Sequence, residues 1–156
     1  MSESIFLDDV ILNKIQAIHR CIARARDEFS LAGDAFRTDY SRQDAAILNI
    51  MRACEQAIDL ANHTIRTGKM GIPQTSAESF ELLARQGVIS PDMAGKMTRM
   101  VGFRNTAVHQ YQALNLAIVE AVVVSGLDDI IDFGDAIVDY FSRPSFYPAP
   151  TNPPIS

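Results

Sequence analysis

The chain has 156 residues, a formal net charge of −5, and 47% hydrophobic against 21% charged residues. That length suits one domain with a real core, and the balance is that of a soluble globular protein. The acidic total excludes attraction of the whole surface to nucleic acid or anionic membrane, so any polyanion must be met by basic residues gathered locally.

From about Leu7 to Phe29, the residues Ile11, Ile15, Ile18, Ile22, Ala25 and Phe29 recur at alternating steps of four and three. That spacing predicts one apolar face of a helix. Lys14, Arg20, Arg24 and Arg26 give the same helix a basic flank, the most concentrated positive charge in the chain. The opening M-S-E-S-I-F-L-D-D has neither the basic region nor the apolar run of a signal peptide. No apolar run reaches the roughly 18 residues a membrane span needs. A cytoplasmic protein is expected, with Cys21 and Cys54 as small core residues in a reducing compartment.

After the connection around Gly33, Ser41 is read as the start of a second helix, with Asp44 three residues on as a capping-box variant. Its apolar stripe runs through Ile47, Ile50, Met51, Cys54, Ile58, Ala61 and Ile65. Beside it Glu55, Asp59 and Asn62 make a polar line. That line is either a solvated face or a place where a carboxylate orients an arginine or histidine from another helix.

Gly68, Gly71 and Pro73 predict a loop. Thr75 with Glu78 is a full capping box for a short helix ending at Gly87, and Ser90 with Pro91 opens the next. That helix presents Met93, Met97, Met100 and Val101 to the core and runs into G-F-R-N-T-A-V-H-Q-Y, residues 102–111. Arg104 can grip a phosphate with a planar fork of donors. His109 can exchange a proton near neutral pH, and Tyr111 offers a modifiable hydroxyl. At about 100° per residue, Arg104 and Tyr111 share a helix face while His109 lies about 140° from Arg104. Either the helix ends near Val108, or a second copy of the chain completes the site.

Asn115 is placed to cap a last helix from about Leu116 to Phe141, with Gly126 as a weak point. Ile130, Phe133, Ile137 and Phe141 face the core, and Asp128, Asp129, Asp132, Asp135 and Asp139 lie largely opposite. The run D-D-I-I-D has the spacing of a magnesium-binding motif of prenyl-transfer enzymes, but a second acidic motif is missing, and a solvated face is expected. Residues 143–156 form a Pro-rich tail that cannot continue a helix and is expected to be disordered. No segment alternates like a strand, so the expectation is all-α: an antiparallel up-down four-helix bundle with a short extra helix, spanning residues 1–142.

Arg104 and Asn105, three residues, His109, one residue and Tyr111 resemble the signature of the HepT toxin family. That family belongs to the HEPN group of all-helical nucleotide-binding domains. The stretches G-I-P-Q-T-S-A-E-S-F-E-L-L, G-V-I-S-P-D-M-A-G-K-M and A-I-D-L-A-N-H resemble the family in the same order, so the likeness covers roughly Leu7 to Phe141. It implies a homodimer with both motif copies lining a shared cleft. It also implies a metal-independent endoribonuclease without cofactor, acting as the toxin of a type VII-like toxin–antitoxin pair. The implied partner is an MntA-like minimal nucleotidyltransferase that neutralises the toxin by transferring AMP to the motif tyrosine, here Tyr111. The line of Glu55, Asp59 and Asn62 falls where the group often keeps an auxiliary polar residue, and Asp59 and Asn62 are the auxiliary or RNA-binding candidates that the resemblance implies.

RNA carries its own nucleophile in the ribose 2′-hydroxyl, so this chemistry asks for no metal or covalent residue. His109 would act as general base or acid, Arg104 would stabilise the scissile phosphate, and Asn105 would fix backbone or phosphate position. The competing class is a non-catalytic nucleotide- or substrate-binding module serving a nucleotidyltransferase. Growth arrest on expressing the chain alone separates the two.

Overall fold

An α-helix leaves its first four N–H groups without intrahelical partners, and in this chain side chains meet that need wherever a helix follows a loop. The computed structural model describes residues 8–143. Helix α1 (Asp9–Ala32) starts at Asp8, whose carboxylate accepts from Ile11 N at 2.9 Å. Thr75 caps α3 (Ser76–Arg85), accepting from Glu78 N at 3.0 Å, while Glu78 reaches back to Gln74 N. Ser90 caps α4 (Pro91–His109) with proline in the first turn. Asn115 caps α5 (Leu116–Ala121). The sequence-predicted boundaries at Thr75, Ser90 and Asn115 are therefore met.

Helix α2 (Tyr40–Thr67) departs from the expected start. Asp39, not Ser41, is its cap, accepting from Arg42 N at 3.1 Å. Two capping residues stand two positions apart here, and the pattern alone does not choose between them. The consequence is that Asp44 does not serve as the capping-box partner.

The last helix is interrupted as the weak point at Gly126 suggests. α5 passes through a π turn (Val122–Gly126) into α6 (Leu127–Ser142), with helical dihedrals at Ala121, Val122, Gly126 and Leu127. The result is four long helical rods plus the short α3, the all-α up-down bundle that the sequence predicts. No strand occurs among the described residues. The N-terminal stretch before Asp8 and the Pro-rich tail beyond Arg143 lie outside the described residues.

The core is continuous through the bundle. Ile11, Ile18, Ile22 and Ala25 of α1 are buried with Ile47, Ile50, Ala53, Ala57 and Leu60 of α2. Each fully buried large aliphatic side chain contributes roughly 1.5–3 kcal/mol. On α6, Leu127, Ile130, Phe133 and Ile137 are fully buried. Phe80 of α3 meets Phe133 edge-on, ring centroids 5.2 Å apart. The short helix is thereby fastened to the bundle.

The loop after α2 holds one unexpected backbone. Gly68 ends the helix, yet the left-handed conformation falls on Lys69, with φ 53°. A Cβ at Gly68 would meet the flexible end of Met70, Cε at 2.6 Å, so a larger residue there asks that side chain to turn aside.

The aspartates of α6 disperse rather than gather. Asp128 pairs with Arg26 at 2.7 Å, Asp129 with Lys96 at 3.9 Å, and Asp139 with Arg143 at 3.4 Å. Among the described residues no group of three or more His, Cys, Asp or Glu is placed to hold a metal ion. No helix among them is long and apolar enough to cross a membrane.

Candidate functional site

Helix α4 runs unbroken to His109, so Arg104 and His109 stand on one regular helix and diverge. Tyr111 lies just beyond it, in a 3-10 turn (Tyr111–Ala113). Two faces of the same short stretch are thus put to different uses.

One face looks at α2. Val101, Arg104, Val108 and Tyr111 succeed one another at steps of three, four and three, the spacing of one helix side. Arg104 is half-buried there, and its Nε donates to Glu55 Oε2 at 2.6 Å. Its Nη1 donates to Asn105 Oδ1 at 2.9 Å. The guanidinium fork is therefore held in place before any ligand arrives. Beneath it, the Cys54 thiol is buried and donates to Met100 O at 3.8 Å. Burial pushes that thiol up to about 12, Glu55's charge adds to the rise, and Arg104 opposes it.

Further along α2, the Tyr111 hydroxyl donates to Asp44 Oδ1. Burial raises the phenol above its ordinary value, and the hydrogen bond and charge of Asp44 raise it further. Asp44 and Glu55 are eleven positions apart on α2, or roughly 16 Å along a helix. Arg104 and Tyr111 meet α2 at two separate points, Arg104 from the helix itself and Tyr111 from the turn that follows it.

The other face looks to solvent. Arg99, Gly102, Thr106 and His109 follow at steps of three, four and three. Arg99, Gly102, Phe103 and Thr106 line a groove of about 480 Å³ with Leu114, Asn115 and Ile118. His109 is exposed, and among the described residues its imidazole has no hydrogen-bond or ion-pair partner. One copy of the chain therefore offers an oriented cation on one side of α4 and a free imidazole on another.

The polar line of α2 divides among three neighbours. Glu55 meets Arg104 of α4, as a carboxylate orienting an arginine from another helix. Asp59 pairs with Lys14 of α1 at 3.3 Å. Asn62 accepts from Ser79 Oγ of α3 at 2.7 Å. The structure does not bring Asp59 or Asn62 to a polar contact with the motif. The basic flank of α1 is partly spent in the same way, on Asp59 and Asp128. Arg20 and Arg24 stay exposed without an ion-pair partner among the described residues. Sequence reasoning missed Asp44 as a partner of Tyr111. No local signal could have found it, because the contact spans 67 positions.

A family model described as "Ribonuclease HepT-like" matches residues 18–137. The chain is 46% identical over 131 residues to the mRNA nuclease HepT of Shewanella oneidensis, covering 84% of this chain and 98% of that one. It is 22% identical over 106 residues to the tRNA nuclease HepT of Aphanizomenon flos-aquae, covering 68% and 72%. Among solved structures it is similar to the tri-AMPylated Shewanella oneidensis HEPN toxin in complex with MNT antitoxin. There the TM-score is 0.79 at 46% identity, over 83% of this chain and 97% of that one. It is also similar to a toxin–antitoxin crystal structure with AMP-PNP, with TM-score 0.77, 45% identity, and 83% and 98% covered.

Proposed function

Because the chain belongs to the HepT-like ribonuclease family, we propose that it is the RNA-cleaving toxin of a toxin–antitoxin pair whose partner is an MntA-like minimal nucleotidyltransferase. The observation that carries this is the divided motif helix. Arg104 is held by Glu55 and Asn105 on one side, and His109 stands exposed on another.

The chemistry follows from those two groups. The 2′-oxygen of a ribose attacks the adjacent phosphorus, and the bond to the 5′-oxygen of the next nucleotide breaks. His109 takes the proton of the attacking hydroxyl or supplies one to the leaving oxygen, a role worth about 10² to 10⁴ in rate. Arg104 stabilises charge on the phosphate oxygens, and a fork already oriented by Glu55 needs little rearrangement to do so. No step calls for a metal or cofactor. Asn105 holds the fork. Asp59 and Asn62 are auxiliary through position, tying α2 to α1 and α3 rather than touching RNA.

A homodimer completes the site. Arg104 and His109 point apart within one copy, and a cleft between two copies lets the arginine of one face the histidine of the other. The antitoxin acts by transferring AMP to Tyr111, which adds bulk and negative charge beside the cleft and repels RNA phosphates. The setting is the cytoplasm, where RNA, antitoxin and nucleotide meet.

The test is expression of the chain alone and with its antitoxin. Growth arrest by the chain alone, RNA cleavage by the purified protein, and a gain of AMP mass on Tyr111 only with the antitoxin are the expected results. Harmless expression with no cleavage would leave the nucleotide-binding module, the class that the acidic net charge of −5 favours.

A further inference from the structure

Transfer of AMP to a tyrosine needs somewhere for the phenolic proton to go. An ordinary phenol, with a pKa near 10, is only about 0.1% ionised at pH 7, and burial and Asp44 move Tyr111 further from ionising. The structure places one acceptor at that proton. The Tyr111 hydroxyl donates to Asp44 Oδ1, and among the described residues neither side chain has another side-chain hydrogen-bond or ion-pair partner. Asp44 has no structural duty that would explain its place, since Asp39 caps α2. Both side chains are exposed, so an incoming enzyme reaches the pair without opening the bundle. His109 is close in sequence, but the helical period sets it with Gly102 and Thr106 of the groove rather than with Arg104.

We infer that Asp44 is the proton acceptor for modification of Tyr111, so that the toxin carries the base for its own inactivation. This rests on the reading of Tyr111 as the AMP acceptor. The antitoxin would supply a nucleoside triphosphate. Tyr111 Oη attacks its α-phosphorus, the Oη–P bond forms as the bond to the β-phosphate oxygen breaks, and pyrophosphate leaves with that electron pair. The phenolic proton passes to the Asp44 carboxylate and then to water. The new aryl ester oxygen has no proton to donate, so the bond to α2 is not remade. A phosphodiester charge then stands beside the Asp44 carboxylate and pushes the Tyr111–Ala113 turn away from α2.

The experiment follows AMP transfer by intact mass, using purified toxin variants, antitoxin and ATP, with the modified residue mapped by fragmentation. Asp44→Asn keeps size and hydrogen bonding but takes no proton. It should slow transfer about 100-fold or more at pH 7, with the rate rising about tenfold per pH unit as hydroxide replaces the base. Wild type should be nearly flat over that range, and Asp44→Glu should recover most of the rate. Antitoxin affinity and RNA cleavage should stay unchanged in Asp44→Asn. Equal rates for Asp44→Asn and wild type overturn the inference while leaving Tyr111 as acceptor. A slow Asp44→Asn with the wild-type pH profile also overturns it, because Asp44 then only positions the tyrosine. Wild type carrying no AMP on Tyr111 overturns the acceptor reading itself, and the inference with it.

Discussion

Arg104 and Glu55 meet across α4 and α2, with Nε donating to Oε2 at 2.6 Å. The carboxylate fixes the direction of the fork, and Nη2 remains without a hydrogen bond among the described residues. Arg104→Ala should lower RNA cleavage by about 10² to 10³, the usual cost of losing one oriented donor at a developing negative charge. Arg104→Lys should not restore it, because an ammonium cannot reproduce the planar fork. Glu55→Gln should cost less, about tenfold, by loosening the fork without removing the charge. The Arg104 and Glu55 side chains are 26% and 39% exposed, so solvent screening keeps their pairing worth at most about 1 kcal/mol of stability. Circular dichroism spectra of all three variants should match wild type, and their thermal melts should lie within about 4 °C of it. A variant that unfolds would assign Arg104 to the fold rather than to the reaction.

His109 stands in the opposite situation, exposed and unpartnered among the described residues. His109→Gln should lose about 10² to 10⁴ in cleavage rate and leave the unfolding temperature unchanged. Rates near wild type would remove it from the chemistry.

A mixed-dimer experiment tests whether two copies build one site. Arg104→Ala and His109→Ala chains should each be inactive alone. Coexpressed, half of the dimers are mixed, and each mixed dimer regains one of its two sites if arginine and histidine come from different copies. Recovery to about a quarter of wild-type activity is the expected result for such a two-fold arrangement. No recovery, with mixed dimers shown to be present, would place both residues in the same protomer.

How much of this was legible in the sequence depends on the range of each interaction. The helices and the caps Thr75, Ser90 and Asn115 are set by residues two to four positions away, so pattern reveals them. The divergence of Arg104 and His109 needs only the helical period. Asp39 against Ser41 was a contest between two good caps, decided by how α2 enters the bundle. The fates of Glu55, Asp59 and Asn62 were not readable one by one. The sequence shows that they share a side of α2, but not that α4, α1 and α3 each claim one of them. Asp44 was the hardest, since its spacing imitates a capping box while its actual partner lies in the turn after α4.

Cys54 gives the last prediction, and it concerns stability rather than chemistry. An unfolded thiol ionises near 8.5, whereas burial pushes this one up to about 12 in the folded chain. Between those values the unfolded chain sheds the proton and the folded chain keeps it, so rising pH favours unfolding. The stability that the neutral thiol contributes is fully present below about 8.5 and is lost at about 1.4 kcal/mol per pH unit above it, until the folded thiol itself ionises. Tyr111, also raised, adds a loss of the same sign once the pH passes about 10, where an unfolded phenol ionises. The comparison therefore belongs between pH 8 and 10. Urea titrations of wild type and Cys54→Ser over that range should diverge, with wild type losing about 2 kcal/mol more than the variant. The same burial makes Cys54 slow to alkylate in the folded chain, because the thiolate is the nucleophile. Parallel pH slopes for the two proteins, or fast labelling of Cys54 in the native state, would mean that the α2–α4 contact beneath Arg104 opens to water.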